Sequence, residues 1–393
     1  MSRLLFITER FPPDIGGLAS SAFRITNVLC QLGVEVDVLT WSKSVQPGDV
    51  LFPDPSAQPF QEPQLYRVGR YRHWDMTMPH TLNLLNWLQQ KRQYHAVWGH
   101  YLFPGSFLAT WFAELNGLPS IISARGNDID REIFPPGDFS RLQWTLERTR
   151  FVTAVSEDIA HKIRVLSRRD DVLVLKNAVN YQVFSPDTLG DDEIGKLRQS
   201  LGIAADEVVL GFAGELREKK GQKFLLNALM TVCAQRSACL LIIGEVRESQ
   251  EAVLHLFGAE YPEVRSRIII TGHLPQPEEV AKHLRLCDVY LQPSLWDGMP
   301  NALLEAMASG CCCIVSDAGG IPEIIEHGLN GFILPCSQLH RLGEAVLECL
   351  ELDAQVRQKI GKAGRIRVKS EFSPDAEKAR LQALLDKVGI KDL

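Results

Sequence analysis

VYLQPSLWDGMPNALLEAMASG, residues 289–310, reads in order as an apolar strand, a turn and a helix. Val289 to Gln292 are strand formers, and Trp296-Asp297-Gly298 has turn chemistry. Pro300 suits a first helical position, and ALLEAMA continues as a helix apolar on most faces. The loop therefore feeds a helix amino terminus, whose free N–H groups and positive dipole end suit phosphate or sugar oxygens. Asp297 and Glu305 are its two carboxylates. Glu305 lies about 7 Å along the axis from the helix start at 1.5 Å per residue, and a carboxylate there can accept two hydrogen bonds from a vicinal diol. A plainer reading stays open, with Asp297 as a helix cap and Glu305 as a solvated position. Against it, Glu305 is flanked by Leu303, Leu304, Ala306 and Met307, which leaves little polar face.

The same strand–loop–helix period runs through nearly the whole chain, the pattern of parallel sheets covered by helices. RLLFIT, VEVDVLT, AVWGH, SIISA, FVTAVS and VLVLKN supply strands in the first half, and EVVLGFAG, ACLLIIGE, RIIITG, VYLQPS and CCCIVS in the second. With 393 residues there is chain for two α/β cores rather than one. The expectation is α/β with two Rossmann-like, doubly wound domains facing each other across a cleft. Residues 1–186 form the first, 187–205 a linker marked by Pro186, Gly190 and an acidic pair, and 206–372 the second. The segment DAEKARLQALLDKV forms an amphipathic helix with Ala376, Ala379, Leu381, Leu384 and Leu385 on one side. In open sheets of this kind ligands bind beyond the carboxyl ends of the strands, so chemistry is to be sought in those loops.

Composition bounds the function. Hydrophobic residues are 45% and charged residues 23%, which is ordinary for a globular protein and excludes a disordered or fibrous chain. No apolar run approaches the roughly 20 residues of a bilayer span. The start, MSRLLFITERFPP, fits a strand better than a secretory signal, so a cytoplasmic protein is expected. Nine cysteines, odd in number and without a CxxC, read as reduced thiols. Residues 1–185 hold 19 basic against 18 acidic side chains and the remainder 23 against 30. That balance gives no sign of nucleic acid, and it leaves peripheral contact between the less acidic first half and the inner face of a membrane open.

Three further loops qualify. GFAGELREKKGQ places Gly214 and Gly221 beside Arg217, Lys219 and Lys220, cations suited to a diphosphate, although a solvated basic turn has the same composition. FPPDIGGLAS brings Gly16-Gly17 to a helix start; it is not GxGxxG, so no nicotinamide fingerprint is met. SDAGGIPEII sets Gly319-Gly320 before Pro322 and Glu323, equally readable as a turn with a capping acid.

Taken together, the acid before Gly-Met-Pro-Asn, the second acid eight residues on, EAMASG and GGIPE resemble the signature of the retaining glycosyltransferases of family 4. FPPDIGG, RGND (125–128), VSE (155–157), NAVNYQVFSP (177–186) and the KKG turn extend that resemblance over nearly the whole chain. The resemblance implies the GT-B fold, a nucleotide-diphosphate sugar as co-substrate, no metal or other cofactor, and a last helix that crosses back to the first domain. It implies that Glu305 holds the ribose hydroxyls and Asp297 meets the transferred sugar. The backbone of Gly298, Met299, Asn301 and Ala302 would touch sugar and phosphate, Gly16 and Gly17 would approach the donor, and Arg217 with Lys220 would neutralise the diphosphate. Asp128-Ile129-Asp130 has the DxD form of metal-dependent enzymes, a triplet common by chance.

Three positions depart from the family pattern. Asp297 stands where Glu is usual, Arg125, which with Asp128 would contact the acceptor or sugar, replaces the histidine of the usual HG placed near the sugar, and Glu215 occupies the place of a phosphate-binding arginine, for which Arg217 is the expected substitute. No general base is assigned, because the family is thought to use the leaving phosphate itself. His100 is either an acceptor contact or a structural histidine. The acceptor is a saccharide, a lipid-linked molecule or a small molecule. YRVGRYRHW, with Arg67, Arg70 and Arg72 among aromatics, would suit an anionic carrier or would simply be a solvated strand and loop. Rival readings are a nucleotide-sugar epimerase, a phosphorylase on the same plan, and a binding subunit that has lost activity.

Overall fold

The computed structural model describes residues 2–54, 61–126, 128–188 and 190–390. The chain divides into two compact units, Met1–Asn177 with Glu377–Leu393, and Ala178–Ala376. In the first, strands β1 (Arg3–Thr8), β2 (Glu35–Ser42), β3 (Val50–Leu51), β4 (Gln64–Gly69), β5 (Ala96–His100), β6 (Ser120–Ala124), β7 (Phe151–Ala154) and β8 (Leu173–Val174) form one sheet. Its order is β3-β4-β2-β1-β5-β6-β7-β8, parallel throughout except for β3 at the edge. In the second, β9 (Val208–Ala213), β10 (Ala238–Ile243), β11 (Ile268–Ile270), β12 (Val289–Gln292), β13 (Cys313–Ser316) and β14 (Phe332–Leu334) order as β11-β10-β9-β12-β13-β14, all parallel. Helices cover both faces of a parallel sheet, which is why β1, β5, β6 and β10 are almost continuously apolar and buried.

The linker expected at 187–205 is corrected. The break lies at Asn177/Ala178, and the expected linker contains a helix, Asp191–Ser200, that belongs to the second unit, where Glu193 pairs with Lys282 at 2.7 Å. Pro186 and Gly190 mark a turn inside that unit rather than its edge. Strands β3, of two residues, and β14, of three, were not among the expected ones; so few residues carry too little pattern to stand out.

The last helix, Pro374–Val388, buries Leu381, Leu384 and Leu385 in the first unit's core against Leu4, Phe6, Ile25, Leu29 and Val36. Each such leucine contributes about 2 kcal/mol of transfer free energy. Ala379 is exposed, and its expected place on the buried side is taken by Glu377. That carboxylate, fully buried, is accommodated because Arg24 Nε donates to it at 2.7 Å. All nine cysteines are free thiols.

Candidate functional site

The second unit brings four loops together at the carboxyl ends of its strands. Leu295 N donates to Lys219 O at 2.8 Å, tying the loop after β12 to the loop after β9, and Gly320 N donates to Asp297 O at 3.2 Å, tying in the loop after β13. Two glycines make these approaches possible. At Gly221 (φ 80°) a Cβ would stand 2.0 Å from Pro293 O, and at Gly319 (φ 54°) one would stand 1.9 Å from Asp297 O, so any side chain at either place would push the loops apart.

Asp297 is then held on two sides. Lys220 Nζ donates to its Oδ2 at 2.5 Å, and Ser294 Oγ lies 3.4 Å from the same oxygen. Behind Ser294 runs a buried relay, in which Gln292 Nε2 donates to Ser294 Oγ at 2.8 Å and Tyr290 OH donates to Gln292 Oε1 at 2.7 Å. Alternate residues of one strand share a face, so the spacing 290, 292, 294 builds that relay. Burial, with neighbouring thiols and Glu305 adding to it, holds the Tyr290 hydroxyl well above its usual pKa, so it remains a donor.

Gly298 and Met299 are buried, and the helix after them is Asn301–Ala308, with Pro300 as its cap rather than its first residue. Asn301 and Ala302 at its start and Glu305 further along are half-buried, while Leu303, Leu304, Ala306 and Met307 are buried. The narrow face between these apolar residues therefore carries Glu305 itself, next to Asn301 and Ala302.

Arg217 does not stand clear as a replacement cation. Its guanidinium pairs with Glu215, the residue it was expected to replace, and Arg247 Nε donates to the other oxygen of Glu215 at 2.8 Å. Burial would raise the Glu215 pKa, but Arg247 and Arg217 outweigh it and hold the carboxylate below its usual range. Arg247, in the loop after β10, is a residue the sequence reading missed. Beside that loop lies an open groove of about 810 Å³ lined by Glu245, Val246, Glu251, His255, Arg265 and Gly272 among others.

The first unit gathers the remaining candidates into internal bonds. His100, at the end of β5, is fully buried between Thr8 Oγ1 at 3.3 Å and Ser21 Oγ at 3.1 Å. Burial, then Arg125 and Arg24, push its pKa well below the usual value, so the imidazole is neutral. In this structure His100 has no exposed surface of its own. Arg125 donates to Leu175 O at 3.2 Å and to Asn177 Oδ1, turned back onto the end of its own unit. Burial foremost, with Arg24, lowers its pKa to about 10.

Asp128 is buried and accepts N–H groups from Leu102, Arg125 and Gly126 at 3.0–3.2 Å. Desolvation outweighs those bonds and lifts its pKa to about 6. Asp130 instead meets Lys162 at 3.0 Å, so the DxD-like triplet is divided between two unrelated tasks. Among the described residues no group of three His, Cys, Asp or Glu side chains is placed to hold a metal ion. Asn127 of RGND lies outside the described residues. Gly16 (φ 126°) caps the helix Gly17–Gln31 of the first unit, so it does not share a unit with Asp297 and Glu305.

Residues 15–183 match the family model described as Glycosyltransferase Family 4, and residues 193–367 the one described as Glycosyl transferases group 1. An uncharacterized glycosyltransferase of Methanocaldococcus jannaschii is 25% identical over 84% of each chain. The GDP-mannose-dependent alpha-(1-6)-phosphatidylinositol monomannoside mannosyltransferase of Mycobacterium tuberculosis is 26% identical over 98% of each. Among solved structures, Anabaena HepE in complex with UDP-glucose superposes with a TM-score of 0.80 at 17% identity, covering 98% of this chain and 100% of that one. Sucrose-phosphate synthase from Thermosynechococcus elongatus gives 0.79 at 17% identity over 99% of both, so the fold is shared with GT-B enzymes.

Proposed function

We propose, from the premise that this chain belongs to the family 4-like glycosyltransferases of GT-B type, that it moves a hexose-type sugar from a nucleotide-diphosphate sugar to a hydroxyl acceptor with retention of configuration. The observation that carries the reading is the Lys220–Asp297 pair in front of the Gly298–Asn301 helix start, with Glu305 half-buried on the same helix. Glu305 accepts hydrogen bonds from the ribose diol. The helix-start amides and Lys220 stabilise the diphosphate as charge develops on it, and Asp297 orients sugar hydroxyls. As the glycosidic C–O bond to phosphate breaks, the acceptor oxygen bonds to the same face of the anomeric carbon and its proton passes to the departing phosphate oxygen. No protein base is needed. Metal-free chemistry and a cytoplasmic setting belong to the same reading.

A lipid-linked, anionic acceptor is the partner we favour. In the first unit the guanidinium of Arg70 lies 5.2 Å from the Trp74 ring and that of Arg141 lies 4.9 Å from the Phe103 ring, a pairing of cations with half-buried aromatics that suits phosphate-bearing carriers. No helix among the described residues is long and apolar enough to cross a membrane. The mycobacterial relative named above acts on phosphatidylinositol mannoside, and the reading here extends no further than that chemical class.

The test is incubation of purified protein with a panel of nucleotide sugars and no acceptor, followed by NMR of the products. Slow release of free sugar with the donor's anomeric configuration is expected. Epimerised nucleotide sugar, or tight binding without any release, would replace this reading with the epimerase or the inactive subunit.

A further inference from the structure

The loops that follow β9 and β10 carry the same five-residue pattern, Gly214-Glu215-Leu216-Arg217-Glu218 and Gly244-Glu245-Val246-Arg247-Glu248. Their strands are parallel neighbours with Ala213 opposite Ile243, and the pairing resumes beyond them as a bridge between Leu216 and Val246. Two-residue alternation turns Leu216 and Val246 into the core and leaves Glu215, Arg217 and Arg247 together on the other side. Glu215 takes both guanidiniums, Arg217 through Nη2 and Arg247 through Nε at 2.8 Å and Nη2 at 3.4 Å. Among the described residues Arg217 Nε–H is buried without a hydrogen-bond partner. Glu215, Arg217 and Arg247 together carry one net positive charge, with Glu218 and Glu245 as flanking acids, and adjoin Lys219 and Lys220 in the chain.

We propose that the two repeated segments form one guanidinium clamp for the donor's diphosphate, in which Arg217 and Arg247 bind phosphate oxygens and Glu215 is the positioning residue that holds them side by side. The inference rests on the nucleotide-sugar reading above and adds to it a cation from β10 and a role for the acid that replaces the usual arginine. Two guanidiniums at such separation repel one another, and a shared carboxylate removes that repulsion while keeping both planes fixed. Each guanidinium has five N–H donors, so it can stay on Glu215 with some and offer others to phosphate.

The rival role for Glu215, a counter-charge that merely opposes the diphosphate, predicts the opposite sign. The experiment is calorimetric titration of UDP and GDP into the wild-type chain, Glu215→Gln, Arg247→Ala and the double variant, with thermal melts confirming that each is folded. The clamp predicts that Glu215→Gln and Arg247→Ala each weaken the better-bound nucleotide at least about tenfold, the scale of one charge-assisted contact. The double variant is expected to lose less than the product of the two. Tighter binding in Glu215→Gln, or wild-type binding in Arg247→Ala, overturns the clamp while leaving the transferase reading intact. A wild-type chain that binds neither nucleotide overturns both. Where a variant fails to fold, Glu215→Asp and Arg247→Lys replace it, with partial loss expected because lysine cannot fork onto two oxygens.

Discussion

The charged residues singled out above are held in opposite ways in the two units. In the first, His100, Asp128 and Glu377 are fully or almost fully buried, and they and Arg125 are held by partners within the same unit. In the second, Arg217, Arg247, Glu215, Lys220 and Asp297 are paired but retain between 13% and 48% of their side-chain exposure. A buried charge whose partner is removed leaves a costly orphan, whereas a half-exposed pair can trade a partner for a ligand at little cost. Position in a strand-end loop therefore does not separate these candidates from one another; the exposure left after pairing does.

The largest expected effect tests the buried side of this contrast. Arg24→Ala leaves Glu377 buried without its cation and should destabilise the first unit by about 3–5 kcal/mol. Six of the seven tryptophans lie in residues assigned to that unit, so urea unfolding followed by tryptophan emission reads it. A loss under about 1 kcal/mol would mean that water reaches Glu377 and that the contrast is false.

Next in size, Lys220→Ala should lower turnover at least about a hundredfold, the scale of one lost contact to developing charge. Its thermal stability should fall less than that of Arg24→Ala, because Asp297 keeps 13% side-chain exposure where Glu377 has none. Unchanged turnover in a steady-state assay would move the diphosphate to other cations. Glu305→Ala should then weaken nucleotide-sugar binding about thirtyfold, the scale of hydrogen bonds to a charged group, and wild-type affinity by calorimetry would remove its ribose assignment.

The smallest effect is a pH slope. The folded pKa of Asp128 is about 6, raised from 3.8, so the folded state holds this proton where the unfolded chain has released it. Its contribution to stability is complete below the unfolded value and is lost as pH rises through about 6. Replacing it with Asn should flatten that part of the melting-temperature profile between pH 4 and 6. An identical slope in the variant would assign the titration to another group.

Much of the fold was legible because each strand–loop–helix unit carries its own signals. Apolar runs marked β1, β5, β9, β10 and β12, and Pro300 with the pattern ALLEAMA marked a helix within one residue of its actual start. The half-buried position of Glu305 was readable for the same reason, since four apolar neighbours left it one narrow face. Arg247 had a signal that went unread, the second copy of Gly-Glu-apolar-Arg-Glu thirty residues after the first. The unit boundary was misplaced because Pro186 and Gly190 punctuate a turn wherever it lies, and punctuation does not say which core the next helix joins.

What the sequence determined by itself was local: which segments are strands and helices, that they alternate into parallel sheets, and which residue types stand at strand ends. These follow from periodicity and backbone preference over a few residues. Tertiary structure alone decided the partners. That Glu377 returns to Arg24 across 353 positions, that Glu215 faces Arg247 as well as Arg217, and that Lys220 meets Asp297 are consequences of strand order and register. A charge's role depends on its dielectric surroundings and its nearest counter-charge, and folding brings those from far along the chain.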